Sequence, residues 1–203
     1  VNEPARLEAF SDGVLAIAIT LLVLDLNVHP EAGESLAHAL VHAWPSYFAY
    51  IVSFMIIGII WVNHHSIFTL VVQVDRLVLF ANLLLLLVVA AIPFPTRLLA
   101  EHLTDDNADA HVASAVYCAT MLAMSVSFSL LWLAVTRRPE MLRPGYVPGS
   151  AFETLRRFGL GMVVYTFTIG LSFVSAPLTL VVVFALSVYY CFDQVGISTT
   201  PAT

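Results

Sequence analysis

An all-α, polytopic membrane protein is the fold class this sequence predicts, and three observations predict it. The 203 residues are 60% hydrophobic and only 11% charged, where a soluble globular protein carries about 25% charged residues. Mean hydropathy is +0.90. The apolar residues also gather into six long runs, most of them near the roughly 20 residues that cross a hydrocarbon core as a helix.

The first run spans about 10–28, inside Arg6 to Leu26, RLEAFSDGVLAIAITLLVLDL. It has one upstream arginine, Asp12 just before its apolar part and no small-x-small cleavage pattern after Leu26. Those features mark a retained helix rather than a signal peptide. Because the chain begins at Val1, a short leader or initiator is expected to precede it. A linker, His29 to His42, contains Pro30, Glu31, Gly33 and Glu34; within it Leu36, Leu40 and Val41 are spaced as on a short surface helix.

The second run spans about 44–72, with Trp44, Tyr47 and Tyr50 as interfacial anchors near its start. The third spans about 77–99. Pro93 and Pro95 remove backbone donors there, so a kink or stop is expected. An acidic linker with Glu101, Asp105, Asp106 and Asp109 leads to the fourth run, about 111–136. The loop Arg137 to Gly149 holds Pro139, Pro144, Gly145, Pro148 and Gly149. It is too short to open a second domain, so residues 1–203 are expected to form one six-helix domain. The fifth run spans about 151–174, where Gly159 and Gly161, like Ala90 and Ala91 in the third, suit close helix approach. A turn near Ser175 to Pro177 precedes the sixth run, about 178–192, and the tail from Asp193 to Thr203 is expected to be disordered.

Arginines decide the orientation, since the chain has no lysine. With alternating helices, Arg6, Arg76, Arg137, Arg138, Arg143, Arg156 and Arg157 fall on one side and only Arg97 on the other. Both termini are therefore expected in the cytoplasm. The opposite side collects Glu31, Glu34, Glu101, Asp105, Asp106 and Asp109. Such charges are either ordinary solvated loop residues or an acidic mouth that concentrates cations.

Several chemistries are excluded. A net charge of −6 offers no basic face for nucleic acid. Cys118 and Cys191 lie singly in apolar runs and form neither a disulfide framework nor a metal spacing. His64 and His65 are adjacent and point about 100° apart on a helix, so they cannot chelate one ion together. His38 and His42 have i,i+4 spacing, but in the linker. There is no HExxH and no Gly-rich phosphate loop, and GYVPG from Gly145 lacks a pore helix before it. No enzyme and no cofactor is expected; an intramembrane enzyme or haem protein is the weakest alternative.

The first run has distinct faces. Counting about 100° per residue from Ile17, Leu21 lies near +40°, Leu24 near −20°, Val28 near +20°, Thr20 near −60°, Gly13 near −40° and Phe10 near +20°. These form one almost wholly apolar stripe. Asp12 falls near −140° and Ser11 near +120°, so the cytoplasmic end of the far side is polar. Carboxylates at membrane depth are costly and need partners. Trp61, Asn63, His64, His65 and Ser66 of the second run and Asn82 of the third are the candidates. Taken alone, such a network is structural first and a proton relay second.

FSDG (Phe10 to Gly13) preceded by Arg6 and followed by an apolar run ending LLVLDL resembles the first-helix signature of the transmembrane protein 175 family of potassium channels. PSYFAYIVSF (Pro45 to Phe54) and WVNHHSIF (Trp61 to Phe68) resemble its second helix, and NLLLLLVVAAIPFPT (Asn82 to Thr96) its third. The resemblance covers the first half closely and the second half only by pattern. It implies a homotetramer in which the first helices line a central pore. It places the narrowest ring at Ile17, with Leu21 and Leu24 beyond it and Gly13, Thr20 and Val28 also lining the path. The family's structural polar network carries over to Arg6, Ser11, Asp12, Trp61, Asn63 and one or both of His64 and His65.

The expectation is a bacterial plasma-membrane channel passing potassium and other monovalent cations. Its only bound ions would be permeating potassium near Ile17 and Thr20. A ring of isoleucines offers no ligand for a dehydrated ion, so selectivity for potassium over sodium should be weak. The alternative is a proton-coupled secondary transporter using Asp12 and the His64–His65 pair. That class predicts inverted repeats, and nothing in Ala113–Phe192 echoes FSDG.

Overall fold

A computed structural model describes residues 4–26, 28, 30, 32–103, 107–146 and 151–192, with side chains from 159 onward in the last stretch. The described residues are helical, without a β-strand; Val71 and Leu142 form one isolated antiparallel bridge. The helices are α1 (Pro4–Leu21), α2 (Leu36–His42), α3 (Trp44–Phe68), α4 (Arg76–Ala91), α5 (Pro93–His102), α6 (Ala108–Thr136), α7 (Ala151–Ser172) and α8 (Ala176–Phe192).

The first helix starts earlier and ends sooner than the apolar run suggests. It reaches back to Pro4 because Ala5, Arg6, Leu7, Glu8 and Ala9 are strong helix formers. It tightens into a 3₁₀ turn over Leu22–Asp25, and Leu26 leaves helical geometry at φ −78°, ψ 74°. Together the α-helix and 3₁₀ turn are about 35 Å long, from rises of about 1.5 and 2.0 Å per residue. Val28 thus lies beyond the helix, half-buried in the linker. Its expected place on the helical stripe is corrected, since counting at a constant 100° fails once the chain passes into a 3₁₀ turn and out of it.

Helix starts follow from their caps. Asp75 accepts the Val78 N–H at 2.9 Å and opens α4, and Asn107 accepts the Asp109 and Ala110 N–H groups at 3.0 Å and opens α6. Gly33 takes φ +91°, a left-handed turn that favours glycine, just before Ser35 caps α2. The interruption expected at the prolines is present: α4 ends at Ala91 and α5 begins at Pro93, whose ring nitrogen cannot continue the ladder. The second run ends at Phe68 rather than near residue 72. Val72 N–H instead donates to Met141 O at 2.8 Å and Arg143 N–H to Leu70 O at 2.9 Å. That pairing, with an Arg138–Asp75 ion pair at 3.5 Å, ties together two loops that the arginine count assigns to one side.

The longest helix, α6, packs against α4, α5, α7 and α8, and α1 packs against α3 and α4. Gly161 allows α7 to approach closely: a Cβ there would meet Ser125 Oγ and Tyr190 Oη at 3.1 Å. Outer faces are apolar, with Phe80, Leu87, Val126, Leu130, Val163, Phe167 and Val181 all exposed. Water does not tolerate so much contiguous apolar surface, whereas lipid does. Among the described residues, four continuous helical stretches have the length and composition to cross a membrane: Pro4–Asp25, Trp44–Phe68, Arg76–His102 and Ala108–Thr136. The described part of α7, Gly159–Ser172, and α8, Ala176–Phe192, are shorter apolar stretches. The expected disorder of 193–203 and the loop carboxylates Glu31, Asp105 and Asp106 lie outside the described residues, as do the Arg156 and Arg157 side chains.

Candidate functional site

The two faces of α1 meet different surroundings. Leu7, Ser11, Leu15, Ala18 and Leu22 are buried against the bundle. Their spacing of three or four residues keeps them on one side of the helix. The opposite side is open. Ile17 is 61% and Leu24 68% exposed, and Phe10, Gly13, Thr20 and Leu21 are exposed with them. No heavy atom lies within 4 Å of where a Gly13 Cβ would stand. The Thr20 hydroxyl donates to Ile17 O at 2.9 Å, so its hydrogen is spent on the backbone, and the residue is exposed on the open side.

The buried side is anchored by a chain of polar groups. Ser11 Oγ donates to Leu7 O at 2.8 Å and accepts from Asn82 Nδ2 at 2.9 Å. Asn82 Oδ1 accepts from His64 Nε2 at 2.8 Å. All three side chains are fully buried, and the chain links α1, α4 and α3. His64 stacks on Phe68 with ring centroids 4.5 Å apart. Its Nδ1 is buried without a hydrogen-bond partner, which suits the tautomer that donates through Nε2.

Two further bonds form an antiparallel ladder at the edge. Trp61 Nε1–H donates to Asp12 Oδ1 at 3.0 Å, and His65 Nδ1 bonds Glu8 Oε1 at 2.7 Å. Glu8 and Asp12 are one turn apart on α1, as Trp61 and His65 are on α3, so antiparallel helices bring both pairs together. Trp61 and His65 stack on each other, their rings inclined by 23°.

The structure therefore brings together Ser11, Asp12, Trp61, His64, His65 and the candidate Asn82, and adds Glu8, while the Ser66 hydroxyl donates to Val62 O instead. Arg6 and Asn63 join none of these bonds among the described residues. Arg6 lies near −20° on the wheel centred on Ile17, hence on the open stripe, and is exposed. Asn63 is turned about 160–200° from Trp61 and His65, and is half-buried on another face. Glu8 was legible in principle, since its spacing to Asp12 equals that of Trp61 to His65. A second buried cluster gave a fainter signal: Ser53 Oγ bonds Thr96 Oγ1 at 2.8 Å and Tyr117 Oη at 2.9 Å. Ser53 stands eleven residues before His64, on the same face of α3. Asp25 sits half-buried within the field of Arg97 and Glu101, which pair with each other at 2.8 Å. Among the described residues no group of three or more His, Cys, Asp or Glu could hold a metal.

A bundle of long apolar helices with lipid-compatible outer faces, tied internally by buried polar bonds, defines a polytopic helical membrane protein. Comparison with known proteins makes the class specific. Residues 6–93 match the model of the family described as "Endosomal/lysosomal potassium channel TMEM175". A potassium channel of Streptomyces collinus is 52% identical over 203 residues, covering 100% of this chain and 98% of its own. A potassium channel of Chamaesiphon minutus is 39% identical over 192 residues, covering 93% and 94%. The crystal structure of a lysosomal potassium-selective channel TMEM175 homolog from Chamaesiphon minutus superposes with a TM-score of 0.78 at 40% identity, over 93% of this chain and 96% of that one. The chain belongs to the TMEM175 family of ion channels. That is a family of membrane transport proteins and not a class of enzymes. The chicken endosomal/lysosomal proton channel TMEM175 is 36% identical over 148 residues, but the match spans only 30% of that protein.

Proposed function

We propose that this chain is a potassium-preferring cation channel that works as a homotetramer, its four α1 helices surrounding the conduction path. The observation that carries the reading is the open stripe of α1, with Ile17 61% exposed on a helix whose other face is fully engaged. Around a shared axis the Ile17 side chains form the narrowest ring, Leu21 and Leu24 follow toward the outside, and Gly13 widens the inner approach. Thr20 presents oxygen lone pairs beside the ring. The full-length bacterial relatives named potassium channels support the choice of ion.

A ring of isoleucines supplies no oxygen to replace lost water and can shut by dewetting. Potassium releases water more readily than sodium, so partial dehydration favours it modestly. The polar chain and ladder hold α1 in register and do not touch the ion. α7, 22 residues, and α8, 17 residues, fall within the roughly 17–25 that span a bilayer, giving six crossings. Both termini face the cytoplasm of a bacterial plasma membrane.

Reversal potentials of the purified protein in planar bilayers, under opposed potassium and sodium solutions, test this. Wild type favours potassium; Ile17→Asn wets the ring and brings the permeability ratio to about one. An unchanged ratio would remove Ile17 from the path. The same membranes test the transporter alternative, in which Asp12 and the histidines relay protons. Asp12 bonds Trp61 while His64 and His65 bond Asn82 and Glu8, an arrangement that favours a brace over a relay. Potassium current that follows its own gradient and ignores an imposed pH gradient supports the channel; current driven by the pH gradient overturns it.

A further inference from the structure

The linker between α1 and α3 carries a cluster that ion conduction leaves unused. Ser35 opens α2 by accepting the His38 N–H at 3.3 Å. His38 and His42 then follow one turn apart, so their rings share a face. Their Nε2 atoms converge to 3.1 Å, with ring centroids 4.2 Å apart and planes inclined by 41°. Glu34 Oε1 lies 2.6 Å from His38 Nδ1. A carboxylate in that position holds the proton on Nδ1, which leaves the Nε2 lone pair of His38 directed at His42.

The two Nε2 atoms share a hydrogen bond; a divalent transition metal, for which paired imidazole nitrogens are good ligands, would take the place of the shared proton. Zinc bound at about 2.0–2.1 Å to two nitrogens in tetrahedral geometry separates them by about 3.3–3.4 Å. The observed 3.1 Å is within a few tenths of that. A carboxylate on the far nitrogen is the usual partner of a metal-bound histidine, fixing its tautomer and raising its basicity. The His38 side chain is 61% exposed, so water has access to the remaining coordination positions.

We propose that His38 Nε2 and His42 Nε2 form a two-histidine site for a divalent transition metal of the zinc type, with Glu34 orienting His38. With arginine-rich loops cytoplasmic, the site lies on the outer side, next to the outer end of α1. It depends only on this local geometry, so it stands or falls apart from the pore assignment.

Calorimetric titration of zinc chloride into the full-length, untagged protein in detergent tests it. Wild type takes up about one zinc per chain saturably. His38→Ala and His42→Ala each weaken binding at least about tenfold, and Glu34→Gln weakens it by roughly ten- to a hundredfold. His102→Ala, whose ring bonds Leu98 O instead, leaves binding unchanged. All four variants keep the wild-type melting temperature and elution volume, because the site is at the surface. Equal zinc binding by wild type and a His38→Ala/His42→Ala double variant, or no saturable binding at all, overturns the proposal.

Discussion

Asn82 holds two helices to a third: its amide donates to Ser11 on α1 and its carbonyl accepts from His64 on α3. Replacing it with leucine strands the His64 N–H in a fully buried site. Leaving one buried donor unpaired costs about 1–3 kcal/mol. Asn82→Leu is therefore expected to melt several degrees below wild type, and an added His64→Phe to recover part of the loss by removing the stranded group. Equal melting of wild type and Asn82→Leu would mean the chain contributes nothing to stability. Gly161 and Gly13 make a contrasting pair. A side chain at 161 meets hydroxyls at 3.1 Å, whereas one at 13 meets nothing within 4 Å. Gly161→Val should lose about 1–3 kcal/mol by overpacking. Gly13→Ala should melt at or above wild type, since alanine is the better helix former by about 1 kcal/mol. Thermal unfolding in detergent, followed by intrinsic fluorescence, measures both.

At the scale of elements, the ladder between α1 and α3 depends on register. Asp12–Trp61 and Glu8–His65 are rungs of one antiparallel pair. A double-mutant cycle on Asp12→Ala and Trp61→Phe should give a coupling of about 0.5–3 kcal/mol. A cycle on the non-bonded combination of Glu8 and Trp61 should give less. Equal couplings would mean that the helices slide.

Much of this was legible beforehand. The stripe through Gly13, Ile17, Thr20 and Leu21 follows from a 3.6-residue period, and those residues are exposed together. The break at Pro93 follows from a missing N–H. The short helix of the linker follows from Leu36, Leu40 and Val41. What failed did so for physical reasons. Val28 was lost because a 3₁₀ turn at Leu22–Asp25 ends the constant rotation. Residues 69–72 were lost because apolarity alone cannot separate the end of a helix from a buried loop paired to residues 141–143. Asn63 enters the expected network through the family resemblance, although its azimuth turns it away from Trp61 and His65.

For the molecule as a whole, apolar exposure has two meanings. Phe80, Leu87, Phe167 and Val181 face outward just as Ile17 and Leu24 do, yet the former suit lipid and only the latter share their face with Gly13 and Thr20. A single chain leaves both faces bare, and the proposed tetramer covers the α1 face. Thiol modification separates a wet face from a greasy one. Cysteine is placed at 17, 21 or 80 in a background carrying Cys118→Ala and Cys191→Ser, and a cationic methanethiosulfonate is applied while potassium current is recorded. Ile17→Cys and Leu21→Cys are expected to lose most of their current within the exposure, and Phe80→Cys to keep it. Persistent current in the first two, with block in the third, would place the conduction path elsewhere than along α1.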